Sequence, residues 1–287
     1  MASGGECATS AAIHPGLYMS DILNSILLGI VEGLTEFLPV SSTGHLLVAE
    51  RLLGLPDNQW EAFTIIIQFG AILSVVAVYW RKFWDVLVGL PRSREARQFA
   101  VNVIAAFIPA AIFGALLIKV INGYLLQPTF ALPVIATTWI AGGILILVLE
   151  RIAPKPRHLD GDHLPFVKAV QIGFCQVLAI LPGISRSGAT ILGAELLGVE
   201  RKAAAAFTFY LAVPTMFGAT VFELYKKWDL MTASAGTDIA VGFVVSFLVA
   251  YGVVKTFIAF IGRFGLKPFG WYRIATGLGL IAFLMMK

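Results

Sequence analysis

Apolar residues run along this chain in stretches close to membrane-spanning length, separated by short polar joints. Six of them, about 61–80, 100–119, 131–150, 204–224, 239–261 and 270–286, predict transmembrane helices. Each is about 17–23 residues, the length that a helix rising ~1.5 Å per residue needs to cross ~30 Å of hydrocarbon. Two further apolar regions, about 21–54 and 169–198, are interrupted, the first at Pro39 and Gly44, the second at Pro182, Gly183 and Gly188. Proline removes a backbone donor and glycine loosens a helix, leaving halves of about 11–17 residues that are mostly too short to cross. Both regions therefore predict re-entrant helical hairpins, a kinked ordinary span being the alternative.

The interrupted regions resemble each other. Gly29 and Gly173 are 144 apart (173 − 29), and the same offset aligns Leu34 with Leu178, Ser41 with Ser185, Gly44 with Gly188 and Ala62-Phe63-Thr64 with Ala206-Phe207-Thr208. Pro39 and Pro182 miss the register by one position. The pattern reads as a tandem duplication, repeat one about 21–150 and repeat two about 169–287, each a hairpin plus three spans. An odd number of spans puts the halves in opposite orientations. The expected fold is thus an all-α polytopic membrane protein, six transmembrane helices plus two re-entrant hairpins in an inverted-topology repeat. Such repeats place their site near the midplane.

Composition agrees. The chain has 287 residues, 58% hydrophobic and 13% charged, with a mean hydropathy of +0.85; a soluble domain would carry roughly 25% charged residues. The net charge of +4 does not point to nucleic acid, because the basic residues fall in short loops. Arg81, Lys82, Arg92, Arg94, Arg97, Arg151, Lys155, Arg157, Lys168, Arg201, Lys202, Arg263, Lys267 and Arg273 all fall on one side, assigned to the cytoplasm. Lys226 and Lys227 are the main exceptions. Two cysteines, Cys7 and Cys175, make no disulfide framework. Residues 1–18 read as an extraneous or disordered N-terminal extension, with Met19-Ser20-Asp21 like a natural start and 19–287 a single integral membrane domain.

The interruptions carry the chemistry. Glu32 and Glu36 are four apart and share one helix face. Two acids in an apolar setting are costly unless neutralised, by a divalent cation such as Mg²⁺ or Ca²⁺ or by shared protonation. Ser41, Ser42 and Thr43 follow Pro39 where a new helix would begin, and unpaired N–H groups there attract phosphate. His45 lies three after Ser42 on the same face, so a Ser–His pairing is open to it. In the second interruption Arg186 needs an anionic partner. Its planar fork suits phosphate oxygens, with a salt bridge to Glu32 or Glu36 as the alternative. Ser185, Ser187 and Thr190 add donors around it. The set suits in-line displacement on a phosphoryl group whose lipid tail stays in the bilayer. Broken helices in inverted repeats also fit a transporter or lipid flippase.

The strings Glu-Gly-Leu-Thr-Glu-Phe-Leu-Pro-Val-Ser-Ser-Thr-Gly-His (32–45) and Pro-Gly-Ile-Ser-Arg-Ser-Gly-Ala-Thr (182–190) resemble the two signature motifs of the bacterial undecaprenyl-diphosphate phosphatases, the bacitracin-resistance family. The similarity runs from Met19 to the end of the chain. It implies hydrolysis of a polyprenyl diphosphate lipid to its monophosphate, recycling the carrier for cell-wall synthesis, in the bacterial inner membrane with the site open to the periplasmic side. It also implies functional roles for Glu32, Glu36, Ser42, His45 and Arg186. The expected roles are catalysis by these five, metal binding by Glu32 and Glu36, and phosphate binding by Ser41, Thr43, Arg186, Ser185, Ser187 and Thr190. Ser42, His45 and water all stay open as nucleophile. The expected partners are the lipid substrate and membrane lipid, with a homodimer left open.

Overall fold

The computed structural model describes residues 15–55, 60–127, 129–226 and 236–286. Of the expected extension 1–18, residues 1–14 lie outside the described residues and 15–18 open the first helix; Lys227 also lies outside. Among the described residues the regular structure is helical, apart from one isolated bridge between His158 and Val199. In order, the helices are α1 (Pro15–Thr35), α2 (Ser42–Leu52), α3 (Glu61–Val78), α4 (Trp80–Gly89), α5 (Arg94–Val120), α6 (Ala131–Ile152), α7 (Phe166–Val177), α8 (Arg186–Leu196), α9 (Arg201–Lys226), α10 (Gly236–Phe264) and α11 (Lys267–Met285).

Each expected span is a helix. Among them α5, α6, α9 and α10 are long and apolar enough to cross a membrane, and α3 with α4 would make a fifth if taken as one bent span. The apolar pattern predicts a first span that runs straight into a loop at Arg81. Instead α4 turns away from α3 by 73°. None of its residues is buried, and Trp80, Trp84, Leu87 and Val88 stand exposed beside Arg81. A strongly two-faced helix carrying tryptophans and cations suits the membrane interface rather than its core.

Both interrupted regions are broken helix pairs, α1 with α2 and α7 with α8, each pair packed together. Only the prolines and Gly183 sit at the breaks. Gly44 lies inside α2, where a Cβ would meet the Trp139 ring at 2.8 Å, so that glycine serves close packing. Gly188 lies inside the first turn of α8, its N–H donating to Ser185 Oγ at 3.1 Å. The second break is a turn from Leu181 to Ile184, closed by the Ile184 N–H on the Leu181 carbonyl at 3.1 Å. Pro182 and Gly183, the latter at φ +82, occupy the two central positions that a type II turn asks of them.

Packing repeats between the halves. α1 lies against α10 as α7 lies against α5, and α3 meets α10 as α9 meets α5. At the α1–α10 crossing Gly29 and Gly33 bring backbones together, since a Cβ on them would meet Gly242 O at 2.7 Å and Ser246 O at 2.8 Å. Without water to drive association, membrane helices rely on such close approach. The main core holds Phe37, Phe207, Phe209, Ile191 and Leu211 fully buried, and two smaller apolar clusters lie around Leu28 with Ile67 and around Ile135 with Trp139.

The basic loops gather at one end. Lys82 pairs with Asp162 at 2.6 Å, and Arg201 pairs with Glu150 at 2.7 Å and also with Glu195. Glu150 in turn accepts the Leu266 N–H at 3.0 Å, so the joints after α3, α6, α8 and α10 are tied together. Arg273 does not belong with them. It lies within α11, 2% exposed, and donates only to backbone carbonyls.

Candidate functional site

The two breaks meet face to face. Ser187 Oγ and Ser185 Oγ donate to the Leu38 carbonyl at 2.8 and 3.2 Å, and Pro39 Cβ lies 3.3 Å from where a side chain on Gly188 would begin. Arg273 spans the same gap, giving Nη1 to Pro39 O at 3.3 Å and Nη2 to Gly183 O at 2.8 Å. Its Nη2 and Nε also reach Thr138 O at 3.0 Å and Trp139 O at 3.4 Å on α6. Nothing in the sequence singled Arg273 out, because a cation near a helix start reads as a loop charge.

Glu32 is in the last turn of α1 and Glu36 just beyond it. The Glu36 N–H still donates to Glu32 O at 2.9 Å, which keeps both carboxylates on one face as their spacing predicts. Glu36 is engaged on both oxygens: Oε2 accepts the Ser42 hydroxyl, and Oε1 lies 3.3 Å from Arg186 Nη2. The salt bridge foreseen as the alternative for Arg186 is therefore present. Arg186 Nη1 donates to Thr208 O at 3.3 Å, while its Nε finds no partner among the described residues. Glu32 is fully buried and neither of its oxygens has a hydrogen-bond partner there. A buried carboxylate left so costs several kcal/mol, roughly, if charged. It calls for a proton or a cation. Together with the Ser42 hydroxyl, the oxygen donors fit a hard divalent ion, which completes its shell with water or phosphate oxygens. Among the described residues no three acidic, histidine or cysteine side chains cluster as a metal cage.

Ser42 opens α2, and Ser41 precedes it at φ 73, the left-handed region that favours glycine. Its repeat counterpart Ser185 is at φ −70 and caps α8 through Gly188 N–H. His45 does not pair with Ser42. Its Nδ1 donates to Ser41 O at 2.8 Å, and its Nε2 meets Tyr272 Oη at 2.8 Å. A carbonyl can only accept, so in the neutral ring Nε2 accepts the tyrosine proton. The ring also lies against Trp139 and Tyr272, centroids 4.4 and 5.6 Å away. Three residues' separation on a helix brings two side chains to one face but does not aim them at each other. Tyr272 and Trp139 come from remote helices, and no local spacing in the sequence points to them.

The remaining hydroxyls divide. Thr43 is exposed. Ser185, Ser187 and Thr190 are buried and committed within the protein: the serines to Leu38 O with their hydroxyl oxygens 2.9 Å apart, Thr190 Oγ1 to Arg186 O at 2.8 Å. Thr208 Oγ1 donates to Thr190 Oγ1 at 3.0 Å, so these groups brace the segment that carries Arg186 rather than line open space. The facing set is Glu32, Glu36, Ser42 and Arg186. It holds a hydroxyl, a carboxylate that accepts its hydrogen bond and a guanidinium of the kind that suits an anion.

Residues 25–279 match the family model described as bacitracin resistance protein BacA. The chain is 49% identical over 274 residues to an undecaprenyl-diphosphatase of Novosphingobium aromaticivorans, covering 94% of this chain and 100% of that one. It is 49% identical over 266 residues to an undecaprenyl-diphosphatase of a Caulobacter species, covering 92% and 98%. An undecaprenyl-diphosphatase 2 of Paramagnetospirillum magneticum is 46% identical over 266 residues, covering 93% and 100%.

Proposed function

The chain belongs to the bacitracin resistance protein BacA family and is a membrane-embedded phosphatase of the undecaprenyl-diphosphatase kind; from that premise we propose that Ser42 hydrolyses undecaprenyl diphosphate with Glu36 as its base. The observation that carries this reading is the Ser42 hydroxyl donating to Glu36, whose other oxygen faces Arg186. Ser42 Oγ attacks the terminal phosphorus and its proton passes to Glu36. The bridging P–O bond breaks and undecaprenyl phosphate leaves. Arg186, freed from Glu36 by the stronger charge of the diphosphate, takes the phosphoryl oxygens, and its unpartnered Nε gives it a second donor for the fork. Water then opens the phosphoserine, returning the serine and releasing inorganic phosphate.

Glu32 and Glu36 would hold a divalent cation, and Glu32, with two unpartnered oxygens, is the better ligand of the two. When bound, the ion neutralises the acids and offsets phosphate charge. His45 is better suited to orientation than to proton transfer from Ser42, since its Nδ1 secures the carbonyl of Ser41 directly before the nucleophile. The product would re-enter the carrier cycle for cell-wall polymers and so underlie bacitracin resistance. The equivalent packing of the two halves supports six spans and two re-entrant hairpins in an inverted repeat within the inner membrane. The gathered basic loops would then be cytoplasmic, and α1–α2 would enter from the periplasmic side.

The test is phosphate release from undecaprenyl diphosphate in detergent, with divalent cation or chelator, for wild type, Ser42→Ala and Arg186→Ala. Cation-dependent release that both variants lose, with phosphoserine trapped on Ser42, is the expected result. A phosphohistidine on His45 would sink the assignment. Lipid translocation that persists in Ser42→Ala vesicles would add the flippase as a second activity.

A further inference from the structure

A second charged feature lies away from the breaks. α8 starts with Arg186 and runs 11 residues, or roughly 16 Å at helical rise, and at its far end lies a cavity of about 310 Å³. Lys155, Arg157, His158 and Lys168 line it together with Leu196 and Leu197. Backbone hydrogen bonds fix the segment that carries Arg157 and His158. Arg157 N–H and His158 N–H donate to Gly198 O at 2.7 and 3.1 Å, and Glu200 N–H donates to His158 O at 2.8 Å. The joint between α6 and α7 is thereby stitched to the turn between α8 and α9.

The acids nearby are all engaged elsewhere. Glu195 pairs with Arg201, Asp160 with His163, and Glu200 caps α9 by accepting Lys202 N–H and Ala203 N–H at 2.7 and 3.1 Å. Lys155, Arg157 and Lys168 therefore meet no carboxylate among the described residues. The α8 C-terminus offers about half a negative charge, too little to account for three cations converging on one cavity. Leu196 and Leu197 line the cavity itself, and beside its other lining residues in the chain Ile152, Leu159, Phe166 and Val167 are exposed. A soluble anion would need the charge but not those apolar side chains. A phospholipid needs both.

We propose that this cavity binds the phosphate headgroup of an anionic phospholipid, with its acyl chains lying on the apolar rim formed by the end of α6 and the start of α7. Basic pockets between membrane helices at the interface recognise headgroups in this way, and the arginine supplies the directional fork. The site is independent of the phosphatase reading.

The experiment is native mass spectrometry of the delipidated full-length protein in detergent with phosphatidylglycerol, phosphatidylcholine or inorganic phosphate. Wild type is compared with the triple variant Lys155→Gln/Arg157→Gln/Lys168→Gln and with a control of equal charge loss, Arg92→Gln/Arg94→Gln/Arg97→Gln. One phosphatidylglycerol should be retained by wild type and control, at least about tenfold over phosphatidylcholine, and the triple variant should lose that preference. Retention by the triple variant, or equal loss in the control, overturns the proposal. Displacement of the lipid by millimolar phosphate also overturns it, since the site would then serve a soluble anion. If the triple variant melts early, the single variant Arg157→Lys takes its place. It keeps the charge but loses the fork, so its phosphatidylglycerol preference should fall several-fold, and unchanged retention sinks the idea.

Discussion

Glu36 has two oxygens and both are in use, one on the Ser42 hydroxyl and one facing Arg186. Gln in its place would still accept the serine hydrogen bond but could not take the proton. Glu36→Gln should therefore lower kcat by about 10²–10⁴, the usual worth of a positioned base, with KM little changed. Steady-state phosphate release decides it, and a kcat within a few-fold of wild type would move the proton to another group. Tyr272 is a milder case. Tyr272→Phe removes one hydrogen bond to His45 but leaves the ring against its aromatic neighbours, so the loss should be about 1 kcal/mol, or roughly fivefold in kcat/KM. A loss as large as that of Glu36→Gln would show that His45 takes part in proton transfer after all. Glu32, Glu36, Ser42 and Arg186 were legible in the sequence because each is a polar type that a bilayer tolerates only with a partner. The pairing of His45 was not, because it depends on a tyrosine 227 positions away.

Among the elements, α2 and α8 are counterparts whose starts differ. The offset of 144 carries Ser42–Leu52 onto Arg186–Leu196 residue for residue, so the sequence repeat located both helices. What it did not reveal is that Ser41 makes no capping bond and sits at φ 73, while Ser185 caps α8 in extended backbone. A strained residue costs of order 1–3 kcal/mol and persists where its surroundings over-determine it. Here the His45 ring and its backbone N–H both hold the Ser41 carbonyl. Ser41→Gly would relieve the strain but add about 0.5–1 kcal/mol of backbone entropy cost, so its melting temperature should stay near wild type. Ser41→Val, β-branched at positive φ, should lose about 1–3 kcal/mol. Thermal unfolding in detergent compares them, and equal melting of the two variants would count against strain at this position. The glycines within these helices misled the reading for a related reason: Gly44 is there because Trp139 lies against it, a contact that only the folded bundle supplies.

For the whole molecule, the question is what holds two separately broken helices in one register. Apolar length and helix-breaking prolines foretold the helices and their interruptions, since both follow from bilayer thickness and backbone chemistry. They could not foretell Arg273, whose charge is buried at the centre and answered only by carbonyls of Pro39, Gly183, Thr138 and Trp139. Two of those carbonyls belong to the two breaks and two to α6, so one guanidinium joins three parts of the molecule. Carbonyls exposed by broken helices inside a membrane need donors, and at this buried position the guanidinium supplies them. Each one left unmet costs about 1–3 kcal/mol. Arg273→Met should therefore cost several kcal/mol, roughly the sum over the carbonyls it strands, and lower both melting temperature and phosphate release. Arg273→Lys separates the two effects. Its single ammonium keeps the charge but cannot reach across both breaks as a planar fork does. It should restore most of the melting temperature while kcat stays at least about tenfold down, because Ser42 and Arg186 stand on opposite sides of the joint that Arg273 closes. Full recovery of turnover in Arg273→Lys would mean that only the charge matters there, and that Leu38 with Ser185 and Ser187 suffices to align the breaks.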